Sequence, residues 1–110
     1  MRGLNNVMVV EYLQTALADL DSITDYYFLK FGMGSAEKVY NQIRGSIVHL
    51  ADFPNSGVPA KDSMLRKLGY KEFYSGRFVA VYRVEPEYER IYIYHIADTQ
   101  MDYPHMYRNN

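Results

Sequence analysis

The chain has 110 residues, enough for one domain with a modest core, and residues 1–110 are expected to form a single unit. It is 48% hydrophobic and 23% charged, with a net charge of −1, which argues against a dedicated nucleic-acid binder. It contains no Cys, so disulfides and thiolate metal sites are excluded. No apolar run is long enough to span a membrane, and "MRGLNNV" lacks the apolar stretch of a signal peptide, so a reducing cytoplasm is the expected location.

Residues 1–7 are expected to be a dispensable leader, with Met8 as an alternative start. "VMVVEY" (7–12) is β-rich and reads as a first strand. Ala16, Leu20, Ile23 and Tyr27 then recur at spacings of four, three and four, which predicts a helix over residues 15–31. Asp19, Asp21 and Asp25 fall off that stripe and are expected to face water; their spacing does not converge on a metal. "FGMGS" (31–35) breaks the helix and offers Ser35 as the next N-cap. Ala36, Tyr40, Ile43, Ile47 and Leu50 predict a second helix, stopped at Pro54. With so short a joint, the two helices must form an antiparallel hairpin.

After a polar loop over residues 55–63 the period changes to two. "MLRKLGYKEFY" reads as one strand bent near Gly69, "SG" as a tight turn and "RFVAVYRV" as the next strand. Alternation puts Phe78, Ala80, Tyr82 and Val84 on one face and Arg77, Val79, Val81 and Arg83 on the other. "EPEYE" turns the chain into a last strand over residues 90–97. The expected order is β-α-α-β-β-β, an α+β fold. Charge is segregated along it. Residues 60–83 carry six basic and two acidic side chains, a net of +4. Residues 84–102 carry one basic and five acidic, a net of −4. Two readings stand: oppositely charged strand edges, or a cationic groove for an acidic partner.

In this order, the segments "ALADLDSITDYYF", "LADFPNSG", "LRKLGYKEFYSGRFVAVYRV" and "IYIYHIADTQMDYPHMY" resemble the RelE/ParE superfamily of bacterial type II toxins. The resemblance covers nearly the whole chain from Met8. It implies a helical hairpin packed on a small, twisted, mainly antiparallel sheet with an open concave face. It also implies a neutralising antitoxin, expected to be a small acidic protein, in a toxin–antitoxin hetero-oligomer. The superfamily splits by target: ParE-type members poison DNA gyrase, and RelE-type members cleave mRNA on the ribosome.

RNA cleavage needs a base for the 2′-hydroxyl, stabilisation of the phosphorane and an acid for the leaving oxygen. The resemblance to RelE-type enzymes implies Arg and Lys on the open sheet face, an Arg just after the last strand, and a Tyr or His in the tail. If the chain is a nuclease, Arg77, Tyr103 and His105 are the catalytic candidates, His105 because it titrates near neutrality. Gln100 stands where the Arg is expected, and a neutral amide does not supply that charge; one lost donor of this kind costs about 10²–10³ in rate. His49 reads as a packing or surface residue, and His95 as a hydrogen-bonded strand residue beside Arg83. Arg66, Lys67, Lys71, Arg77 and Arg83 are the expected target-binding set under either mechanism, with Arg77 and Arg83 unpartnered in the concavity. No metal or cofactor is expected. Gln100 tips the reading towards a ParE-like gyrase poison, with a RelE-like mRNA endonuclease as alternative and a non-toxic binding module as second alternative.

Overall fold

The structure, a computed structural model, describes residues 8–101. Its elements in chain order are β1 (Val9–Tyr12), α1 (Gln14–Phe31), α2 (Met33–Asp52), β2 (Val58–Pro59), α3 (Ser63–Lys67), β3 (Lys71–Ser75), β4 (Phe78–Glu85), a single 3₁₀ turn (Pro86–Tyr88) and β5 (Arg90–Asp98). The sheet order is β1-β5-β4-β3-β2; β1 runs parallel to β5 and every other pair is antiparallel. The expected α+β plan therefore holds, with two short elements, β2 and α3, that the periodicity did not reveal.

The core is the seam between the hairpin and one sheet face. Ala16, Leu20, Ile23 and Tyr27 of α1 and Ile43, Ile47 and Leu50 of α2 pack against Phe78, Ala80, Tyr82, Ile91, Ile93 and Ile96. Each large apolar side chain buried in this seam contributes about 1.5–3 kcal/mol relative to exposure. Tyr40, expected in the stripe, is instead partly exposed, and its hydroxyl accepts a hydrogen bond from Arg44 at 2.8 Å. Val39 packs on the core from the neighbouring position.

Two local expectations are corrected. The N-cap of α2 is Gly32, not Ser35, which lies inside the helix. Gly32 has φ +93°, ψ 177°, a conformation open in practice only to glycine, and it turns the chain without a loop. The single strand expected over residues 64–74 is split into α3 and β3. Asp62 caps α3 by accepting the Leu65 amide at 3.0 Å, and Gly69 at φ +90° ends the excursion. The side-chain cap thus sets residues 63–67 as a helical turn and not as the start of the strand. β5 also carries a bulge: Val81 pairs with His95 but Tyr82 pairs with Ile93, leaving Tyr94 as the extra residue. The bulge lets Ile91, Ile93, Ile96 and Asp98 all reach the helix side.

The helix exit at "PNSG" has a steric reason. The Tyr82 hydroxyl donates to the Pro54 carbonyl at 2.8 Å and accepts from the Gly57 amide at 3.0 Å. A Cβ at Gly57 would lie 2.7 Å from both that hydroxyl and the Glu72 carbonyl oxygen. This loop is therefore pinned to the central strand at a distance only glycine permits.

Candidate functional site

The face of the sheet away from the hairpin is where the binding residues were expected. Strand register places Glu72 and Tyr74 of β3, Val79, Val81 and Arg83 of β4, and Tyr92 and Ala97 of β5 on it. Its centre is not open. Val79, Val81, Glu72 and Ala97 are all buried. The Glu72 carboxylate is held by the Tyr74 hydroxyl at 2.8 Å and the Lys61 amide at 3.3 Å, and Lys61 lies over the Tyr74 ring.

Around this small covered centre runs a row of cation–ring and tilted ring–ring contacts. Arg83 sits 5.9 Å above the Tyr70 ring, Tyr70 is 5.2 Å from Tyr94, and Tyr94 is 4.3 Å from His95. Arg83 also pairs with Glu85 and keeps 40% of its side chain exposed. Exposed ion pairs of this kind are worth little to the fold, so Arg83 retains freedom to meet a partner. The row ends at His95, whose Nδ1 lies 2.7 Å from Asp19 Oδ2. The same oxygen accepts the Ile96 amide at 2.9 Å, and Thr15 donates to the Tyr94 carbonyl. The first turns of α1 thus take over from β1 in satisfying the β5 edge. Asp19 is accordingly a structural acceptor and not the solvent-facing residue expected; Asp21 and Asp25 are exposed.

Arg77 departs furthest from expectation. It lies in the turn before β4, where strand alternation no longer governs direction, and it swings towards the hairpin. Its Nε donates to Asp98 Oδ1 at 2.9 Å, and its guanidinium lies over the Tyr27 ring. Asp98 is fully buried, and it also accepts from the Tyr27 hydroxyl at 2.8 Å and from the Gln100 amide at 2.9 Å. A buried carboxylate needs a charge partner and satisfied lone pairs, and Arg77 is that partner. The bond to Asp98 raises the Arg77 pKa further, so its charge is permanent. Burial, followed by the bond to Asp98, pushes the Tyr27 hydroxyl up to about 12.

The remaining candidates scatter. Arg66 spends its guanidinium on the carbonyls of Ala60 and Lys61, both at 2.9 Å, which closes the loop before α3. Lys67 is exposed at the end of α3. Lys71 pairs opposite Tyr82, so its side chain alternates to the hairpin side rather than the open face. The expected five-residue cationic set is thus not assembled on one surface. Tyr103 and His105 lie outside the described residues. His49 stacks on Phe73 and lies tilted against Phe53, a packing role. Asp98 and Tyr27 were missed as members of this constellation. The only sequence signal was an Asp at the end of an otherwise apolar strand face.

Among the described residues, no group of three His, Cys, Asp or Glu side chains is placed to hold a metal, and no helix is long and apolar enough to cross a membrane. The fold is thus a helical hairpin on a five-stranded mixed sheet, with Arg83 over the Tyr70 ring at one rim. Residues 10–103 match the family model described as ParE toxin of type II toxin–antitoxin system, parDE, and the chain belongs to that family. It is a type II toxin–antitoxin toxin of the RelE/ParE superfamily. Among solved structures it is similar to the chromosomal ParDE toxin–antitoxin system of P. aeruginosa. There the identity is 24% and the TM-score 0.72, over 87% of this chain and all of that one. It is also similar in fold to the toxin–antitoxin complex RelBE2 of Mycobacterium tuberculosis. That likeness has 18% identity and a TM-score of 0.59, over 84% of this chain and 98% of that one. No curated protein sequence matches the chain.

Proposed function

We propose that the chain is a ParE-like growth inhibitor of the cytoplasm that acts by binding DNA gyrase, not by cutting mRNA. The observation that carries this reading is the commitment of Arg77. A nuclease needs that guanidinium free to stabilise a phosphorane, and here it neutralises the buried Asp98. Arg66 is likewise occupied by backbone carbonyls, and Gln100 brings no charge after β5. What is left on the sheet's outer rim, Arg83 with Tyr70 and Tyr94, has the composition of a protein-binding hot spot.

The partner that restrains such a toxin is an antitoxin, and both similar structures are toxin–antitoxin complexes by their descriptions. For this chain we expect a small, acidic, partly disordered protein that folds on binding.

The test uses purified chain and purified gyrase. Supercoiling should be inhibited and cleaved DNA–gyrase complexes should accumulate, while mapped mRNA 5′ ends in induced cells stay unchanged. Cuts in codon register with normal gyrase activity would replace this reading with the endonuclease. Normal growth at verified expression would leave a non-toxic binding module.

A further inference from the structure

Tyr94 belongs to the outer rim but not to the sheet ladder. It is the extra residue of the β5 bulge and has no register partner on β4. A bulged residue is left out of the ladder, so other groups have to hold it. On its other side the pairing with β1 stops at Ile93. The support comes instead from α1 and the residue before it. The Leu13 amide donates to the Ile93 carbonyl at 2.9 Å, and the Thr15 hydroxyl donates to the Tyr94 carbonyl. Asp19 Oδ2 accepts the Ile96 amide at 2.9 Å and lies 2.7 Å from His95 Nδ1. These bonds bracket Tyr94 from both sides.

An ionised carboxylate only accepts, so the His95 nitrogen facing Asp19 carries the proton and the ring is fixed in one orientation. The two side chains are only 12% and 15% exposed, so water competes poorly for this bond. The His95 ring lies 4.3 Å from Tyr94, and Tyr94 lies 5.2 Å from Tyr70, beneath Arg83. Asp19 does not make the bulge itself. Ile96 is buried in the core, and Asp98 is buried and bonded to Arg77 and Tyr27, which fixes the register beyond Tyr94. What Asp19 governs is where the side chains at the bulge point.

We infer that Asp19, with Thr15, is a positioning residue for target binding: from α1 it fixes the His95 ring, and His95 backs Tyr94 against Tyr70 at the rim. The inference rests on the proposal that this rim binds the target. Asp19 acts through Tyr94 and does not itself meet the target. An aromatic anchor held in its bound orientation loses less freedom on association, so a loosened Tyr94 weakens binding while the core stays intact. Asp19 thereby differs from Asp98, whose partners lie in the core.

The experiment uses the full chain in a double-mutant cycle of Asp19→Ala and Tyr94→Ala, read by inhibition of gyrase supercoiling. Asp19→Ala should raise the concentration for half-inhibition by about tenfold. In the Tyr94→Ala background it should add less than about twofold, because the residue it positions is gone. Asp19→Asn keeps an acceptor oxygen and should recover most of the loss. Tyrosine-ring NMR of the purified chain supplies an arm independent of any target. The Tyr94 ring signal, assigned through Tyr94→Phe, should move in Asp19→Ala, while that of the buried Tyr27 stays in place and verifies the fold. The exposed Asp21, changed to Ala, should alter neither readout. An unmoved Tyr94 signal overturns the inference, as do losses that multiply across the cycle or an equal effect of Asp21→Ala. If Asp19→Ala does not fold, Thr15→Val, at an exposed site, carries the same cycle. A wild-type chain that spares gyrase but arrests growth overturns the proposed target and not this inference, and growth arrest then reads the cycle. A chain with neither activity overturns both.

Discussion

Arg77 lies just before β4 and Arg83 within it, each within reach of a carboxylate and a tyrosine ring, yet they do different things. Arg77 meets Asp98, which has no exposure, and the Tyr27 ring on the hairpin side. Arg83 meets Glu85, which is partly exposed, and the Tyr70 ring on the outer side. The difference lies in the carboxylate. A buried one makes its cation a structural part, because removal leaves an uncompensated charge in the core. A solvated one lets its cation go at little cost. An arginine's availability for function is thus decided by what its partner would lose.

The sharpest way to break this comparison is Arg77→Ala. It should lower the unfolding free energy by about 2–3 kcal/mol, less than a fully buried pair because Arg77 is 36% exposed and Asp98 keeps two other donors. Urea denaturation measures it, and a loss under about 0.5 kcal/mol would refute the clamp. Asp98→Asn should cost less than Arg77→Ala, since it removes the charge that needs the partner.

Tyr27→Phe comes next, at about 1–2 kcal/mol, because it removes one donor to the same carboxylate. It also has a pH signature. The folded pKa of Tyr27 is about 12, above its ordinary value of 10.0. Its linkage contribution is therefore fully present below pH 10 and is lost as pH rises from about 10 to about 12. In Tyr27→Phe that alkaline loss should be smaller in a stability–pH profile.

Arg83→Ala should shift stability by less than about 0.5 kcal/mol. If the outer rim binds the target, the same variant should nonetheless lose growth arrest at equal soluble expression. Arg83→Lys should recover it only in part, since a point charge replaces a planar fork that stacks on Tyr70. Full toxicity of Arg83→Ala would move the target site off this rim.

Salt separates the two ends with the smallest effect. Raising ionic strength should erode what little Arg83 contributes, while the Arg77–Asp98 contribution, tied to a buried group, should hold nearly constant. A double comparison of the two Ala variants at low and high salt reads this directly.

Much of the fold was legible because burial on a regular element leaves a period. The stripe Ala16, Leu20, Ile23, Tyr27 and the alternating Phe78, Ala80, Tyr82 are packed together as their spacing implied. The misreadings occurred where the period lapses. Residues 64–67 read as the start of a strand, but the Asp62 cap makes them part of α3. Tyr94 is an extra residue that a strict alternation does not anticipate. The site was less legible than the fold. Every candidate cation was visible, but nothing around Arg66, Lys71 or Arg77 announced that it was occupied or turned away.

By itself the sequence determined the two helix stripes, the β3–β4 and β4–β5 turns, and the stop at Pro54 followed by Gly57. These rest on local geometry and on burial that repeats along the chain. Only the tertiary structure decided which charges were free. Tyr27 and Asp98 are 71 residues apart, Asp19 and His95 are 76, and Arg77 and Asp98 are 21. A charged residue's partner is chosen by which carboxylate the packed core leaves dry, and that depends on how the hairpin settles on the sheet rather than on any spacing along the chain.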